Sequence, residues 1–180
     1  MKRIFILLLL VSNNFVFAKH PPLETVDYVD LDRYLGQWFE IARLPQRFQK
    51  GCTATRAIYS MRNDGGIKVL NSCHLESPTG KLKEAEGRAW VKNKVTNAKL
   101  KVQLFLKRFK IPFLAGDYWI LDLGYDYEYA VIGDPSRKYF WILSRTKFID
   151  NELYDELIAK AKSWGFDVSK IIKTQHSKDL

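Results

Sequence analysis

The chain has 180 residues, which suits one domain. It is 47% hydrophobic and 14% aromatic and holds no low-complexity tract, which excludes a disordered or fibrous protein. The formal net charge is +9, but its lysines and arginines are scattered through turns and alternating positions. That pattern describes a solvated outer face with an affinity for anionic membrane surfaces left open; it does not describe a nucleic-acid footprint.

Lys2 and Arg3 precede an unbroken apolar run from Ile4 to Val11, and Val16-Phe17-Ala18 offers small residues around a cut. This is the layout of a cleavable secretory signal over residues 1–18, leaving a single mature domain over 19–180. Its apolar run is too short to span a bilayer, and no cysteine follows it closely for lipid attachment. Export also argues against nucleic acid as a partner. In an exported chain the two cysteines, Cys52 and Cys73, read as a disulfide before a metal or catalytic site.

Pro21 to Asp32 reads as an extended arm. Gln37 to Leu44 is a first strand. Thr53 to Met61 and Ile67 to Cys73 are two more, joined by Asn63-Asp64-Gly65-Gly66, where positive-φ turn positions are supplied. A tight turn there opposes Arg62 to Ile67, which leaves Cys52 and Cys73 out of register. A disulfide therefore requires a bulge or bend in the second strand. Glu84 to Lys92 alternates, with Ala85, Gly87, Ala89 and Val91 on one face. Leu100, Val102, Leu104 and Leu106 alternate with polar residues and Phe105, a clear period of two. Tyr118 to Leu123, Tyr127 to Ile132 and Lys138 to Ser144 complete eight strands with mostly short connections. The expected fold is all-β, an up-and-down antiparallel barrel or a sandwich.

The tail changes period. Asp150 is placed to cap a helix, with Ile149 and Tyr154 as a staple. Leu153, Leu157, Ile158, Ala161 and Trp164 form one apolar stripe, and Gly165 suits the C-terminal cap. This helix, about 151–164, needs a surface to cover, and the outside of a barrel supplies one. Val168 to Lys173 offers a short last strand.

Three sequence features resemble the lipocalin family, in particular the bacterial outer-membrane lipocalins. Gly36-Gln37-Trp38 sits at the start of the first strand. Asp126-Tyr127 precedes the seventh, with Tyr125 in place of the family's usual threonine. Arg145 ends the eighth, within a run from Gly133 to Thr146. The resemblance covers nearly all of residues 19–180 and implies an eight-stranded antiparallel barrel over about 36–145, with the helix packed outside. It also implies a floor in which Trp38 is plugged under Arg145; a guanidinium over an indole contributes roughly 0.5–2 kcal/mol. Many bacterial relatives carry a lipid-modified cysteine after the signal peptide, and this chain departs from them there.

Ligand contacts are expected from inward-pointing side chains above that floor: Glu40, Ala85, Ala89, Leu100, Val102, Leu104, Tyr118, Tyr129 and Trp141. The parity of each strand decides this set, since a slip of one residue exchanges the faces. Glu40, Arg43 and Arg56 have two readings, as wall residues in ion pairs or as an anchor for a lipid phosphate or carboxylate.

The resemblance implies a carrier of a fatty acid or lysophospholipid in the cell envelope, in the periplasm, at the outer-membrane periphery or secreted, as a monomer or weak dimer. No cofactor, metal site or catalysis is expected. Two alternatives stand beside it: a secreted protein sequestering another hydrophobic ligand, and an isomerase using Cys52 or Cys73 as a free thiol. His20, His74 and His176 are far apart and have no metal-ligand spacing.

Overall fold

A computed structural model describes residues 20–104 and 112–177. The expected signal segment, the start of the mature chain and the continuation of the fifth strand through Phe105 and Leu106 lie outside these residues. Eight strands run in chain order: β1 Gly36–Arg43, β2 Cys52–Met61, β3 Ile67–Leu75, β4 Leu82–Val91, β5 Lys99–Gln103, β6 Gly116–Leu123, β7 Tyr129–Gly133 and β8 Phe140–Ser144. Each pairs antiparallel with its neighbour, and β1 pairs with both β8 and β2, which closes the sheet into a barrel. Eight strands leave an interior just wide enough for side chains or one small ligand.

Period-two alternation then sorts the side chains into two cores. Trp38, Ala57, Tyr59, Val69, Ala89, Leu100, Ile120, Ala130, Ile132 and Leu143 point inward. Leu121, Val131, Phe140 and Ile142 point outward and meet Leu157 and Ala161 of a helix, α2 Asn151–Ser163. The helix covers its stripe on the barrel wall as expected. Asp150 occupies the N-cap position with extended backbone, but its carboxylate makes no capping hydrogen bond. Gly165 follows the helix at φ +87°, the left-handed position a C-terminal cap needs.

Two irregularities shape the open end. Opposite Cys73, β2 carries one extra residue: Thr53 faces His74 and Arg56 faces Ser72, with Ala54 and Thr55 between them and Ala54 at φ 44°. The hairpin itself pairs Met61, not Arg62, with Ile67, because Arg62 to Gly66 forms a wider turn closed by the Arg62 N–H on the Gly66 carbonyl (2.9 Å). With the bulge, Cys52 and Cys73 come to 5.4 Å between Cα atoms and form the disulfide. In β1 the register slips between Glu40 and Ala42. The slip turns Ile41 and Ala42 outward and sets Glu40 and Arg43 on the same inner side.

Past that slip β1 and β2 separate, and the chain's own tail fills the seam. Val168–Lys170 forms a 3-10 turn, and only Ile172–Lys173, here β9, pairs as a strand, with Ala42 and Arg43. Thr174 N–H donates to the Ile41 carbonyl (2.8 Å), and Ala54 N–H donates to the Gln175 carbonyl (2.7 Å). A row of backbone groups that a split sheet leaves unpaired is thereby satisfied.

The disulfide gives a direct test. Alkylation of the protein without reductant should label no cysteine, and mass spectrometry reading two labelled thiols contradicts the bond. Replacing both cysteines by serine should lower stability by roughly 3 kcal/mol, measured by urea unfolding.

Candidate functional site

The closed end is built around Trp38. Its indole is fully buried and donates from Nε1 to the Tyr34 carbonyl (2.8 Å). The Arg145 guanidinium carbon lies 3.7 Å from the indole centroid. Its three nitrogens donate to the carbonyls of Tyr127 (3.2 Å), Gln37 (2.8 Å) and Arg33 (2.6 Å). One planar cation thus ties the β6–β7 turn, β1 and a short helix, α1 Leu31–Tyr34, over the plug. Partial burial lowers the Arg145 pKa from its ordinary value. Gly36 enters β1 at φ +90°, with Arg145 Nη1 only 3.5 Å from where a Cβ would stand. Tyr127 sits in the left-handed region (φ 62°), accepts a hydrogen bond from the Asp30 N–H at its hydroxyl (2.8 Å), and lies under the Arg33 guanidinium. Asp126 is exposed beside Arg33 (3.8 Å).

Above the floor is a cavity of about 560 Å³, open at the opposite rim. Leu100, Val102, Leu104, Ala85, Ala89, Trp141 and Leu143 line it, as sequence alternation indicates, with Ile67 and Val69 from β3. Small residues on β4 make the room.

Three phenols meet at its lower end. The Tyr118 hydroxyl lies 2.8 Å from that of Tyr34 and 3.1 Å from that of Tyr59. Burial raises all three pKa values, that of Tyr59 to about 12. An anion in this lower end would lose its hydration to three neutral hydroxyls.

Glu40 lines the upper wall but offers nothing free to a ligand. Its carboxylate accepts from Arg43 Nη1 (3.1 Å), Gln49 Nε2 (2.6 Å) and Thr174 Oγ1 (2.6 Å), all buried. Gln49 in turn accepts from Trp141 Nε1 (3.1 Å). This is a wall ion pair held by hydrogen bonds, the arrangement a buried carboxylate requires. Arg56 is exposed and donates to Ser72 Oγ (2.9 Å).

A family model described as a lipocalin-like domain matches residues 29–176. The chain belongs to the lipocalin family. Temperature-induced lipocalin-1 of Arabidopsis thaliana is 43% identical over 159 residues, 86% of this chain and 83% of that protein. Outer membrane lipoprotein Blc of Vibrio cholerae is 38% identical over 176 residues, 97% of this chain and 99% of the relative. The Escherichia coli K12 protein of the same name is 41% identical, over 86% of this chain and 85% of its own. Among solved structures, insecticyanin from the tobacco hornworm superposes with a TM-score of 0.68 over 88% of this chain and 87% of its own, at 24% identity; it supports the fold alone.

Within this lipocalin barrel one expected contact is misplaced. Tyr129 does not reach the cavity. Along β7 alternation sends Ala130 and Ile132 inward, so Tyr129 and Val131 face outward and Tyr129 packs with the helix-facing core. Its phenol pKa is raised by burial and by nearby Asp122. Asp122 itself is bound by Lys160 of α2 (2.7 Å). The sequence reading also passed over Tyr34, Tyr59 and Gln49. Tyr59 alternates with Ala57 on β2 and was within reach of a parity argument, whereas Tyr34 and Gln49 lie outside the long strands and show no periodic signal.

Trp38→Ala should cost about 3–5 kcal/mol in urea unfolding, the range for deleting a buried aromatic. Arg145→Lys keeps the charge and loses the planar fork, and should cost about 1–3 kcal/mol by the same measurement. The raised phenol pKa values favour the protonated native state. Their contribution is complete below pH 10, where unfolded tyrosine is still protonated, and falls as pH rises toward about 12. Stability measured at pH 9 and 11.5 should therefore drop, and Tyr118→Phe should shrink that drop.

Proposed function

We propose that this lipocalin binds and carries one single-chain lipid, a fatty acid or lysophospholipid, in the cell envelope. The observation that carries the reading is the open cavity of about 560 Å³ with aliphatic and aromatic walls above a sealed floor. Each methylene moved from water into such a cavity contributes about 0.8 kcal/mol, so an acyl chain needs no elaborate polar partner. The likeness to proteins named outer membrane lipoproteins supports an envelope address for this chain as well. An exported periplasmic or outer-membrane-peripheral protein, monomeric or weakly dimeric, fits that setting, and its basic surface suits transient contact with anionic bilayers. Lipocalins generally bind and transport, and carriage by this chain requires no bond-making step. Both cysteines are committed to the disulfide, so the thiol-isomerase alternative has no nucleophile.

Native mass spectrometry of the protein purified from its own envelope should show one lysophospholipid or fatty acid per chain. A pigment or siderophore in its place supports the sequestration alternative. Ala85→Trp, which puts an indole into the cavity wall, should abolish displacement of a fluorescent fatty acid while leaving the circular dichroism spectrum unchanged. Retained lipid affinity in that variant contradicts the cavity as the binding site.

A further inference from the structure

The charges inside the barrel do not all cancel. Glu40 and Arg43 neutralise each other, but Lys83 has no such partner. The β3–β4 register sets Lys83 across from Cys73, one row above the inward pair Asn71 and Ala85, and both Lys83 and Asn71 line the cavity. Its ammonium donates to the Phe48 carbonyl (3.0 Å), and no carboxylate of the described residues pairs with it. Glu84, next along the strand, and Arg56 also border this end of the cavity, but no ion pair joins Glu84 to Lys83 and the Arg56 guanidinium donates to Ser72 Oγ.

On the other side of Cys73, the β2 bulge brings Thr55. Thr55 is 7% exposed and lines the cavity, and its hydroxyl has no hydrogen-bond partner. A hydroxyl left unpaired at such burial is costly unless a ligand atom meets it. Thr55 and Lys83 stand two strands apart, roughly 10 Å at the backbone, a gap the long lysine arm reduces.

We propose that Lys83, Thr55 and Asn71 form a receptor for the anionic head, carboxylate or phosphate, of the single-chain amphiphile this cavity carries. The inference rests on the lipid-carrier reading and adds an orientation to it. The head stays near the mouth, where β3 ends and β4 begins, and the tail runs down toward Tyr118. The lower end offers the charge no free cation, because the Arg145 guanidinium is spent on three backbone carbonyls on the far side of Trp38 and the three phenols are buried and bonded to one another. Lys83 supplies the charge, and the Thr55 hydroxyl and Asn71 amide supply directed donors.

The test compares three ligands with one tail, oleyl phosphate, oleate and oleyl alcohol, by displacement of a fluorescent fatty acid. Lys83→Met should weaken both anions roughly tenfold or more, the effect of losing one charge-assisted hydrogen bond, and leave the alcohol within about twofold. Thr55→Val should weaken the anions by a smaller factor. Added salt should weaken oleate in the parent protein and have little effect in Lys83→Met. A larger loss for oleyl phosphate than for oleate assigns a phosphate head, and the reverse assigns a carboxylate.

Equal losses for all three ligands, or anion affinity untouched by Lys83→Met, overturn the headgroup receptor. If the parent protein binds the alcohol as well as the anions, the carrier reading survives and the receptor does not. If it binds none of the three, both fail.

Discussion

The stack of Arg145 on Trp38 fixes the lower end of the barrel, and the position of everything above it follows. A buried indole by itself fills space; it does not choose which strands meet over it. The guanidinium makes that choice, because its planar fork reaches three carbonyls from three separate segments while its face stays on the ring. With β1, the β6–β7 turn and α1 tied to one point, the strand register around the base is set. The rows of inward side chains are then set up to the rim.

The two irregularities at the other end work in the opposite sense. A barrel with perfect alternation would place Glu40 inside and Arg43 outside. The slip after Glu40 brings both inward, so the carboxylate has its cation, and Gln49 and Thr174 occupy its remaining acceptor sites. The β2 bulge likewise allows the disulfide and puts Thr55 at the cavity wall. Both lie where the cavity opens, as is common for bulges at barrel rims; a third register shift falls in β6 between Ile120 and Asp122.

A polarity gradient along the barrel axis results. Near the mouth the inner wall carries an ammonium, a free hydroxyl and an amide. In the middle it is aliphatic. At the bottom it is aromatic, with hydroxyls bonded chiefly to one another. A fold shared with insecticyanin does not specify any of this; the side chains on the inner face do, and the proposed headgroup receptor rests on that gradient.

Much was legible from residue order alone. Turn residues together with alternation, clearest in the fourth and fifth strands, marked the eight strands, and a change to helical spacing marked α2, because these periods follow from backbone geometry that holds whatever the chain packs against. Within one strand, parity also fixed which residues share a face, so Ala85, Ala89, Leu100, Val102 and Leu104 came out together. What the order of residues did not reveal depends on where the alternation breaks. The pairing of β7 with its neighbours put Tyr129 outside, the slip in β1 turned Arg43 inward, and the contact between Thr174 and Glu40 bridges 134 positions of chain. Each is settled by contacts between distant segments, and such contacts exist only once the sheet has closed.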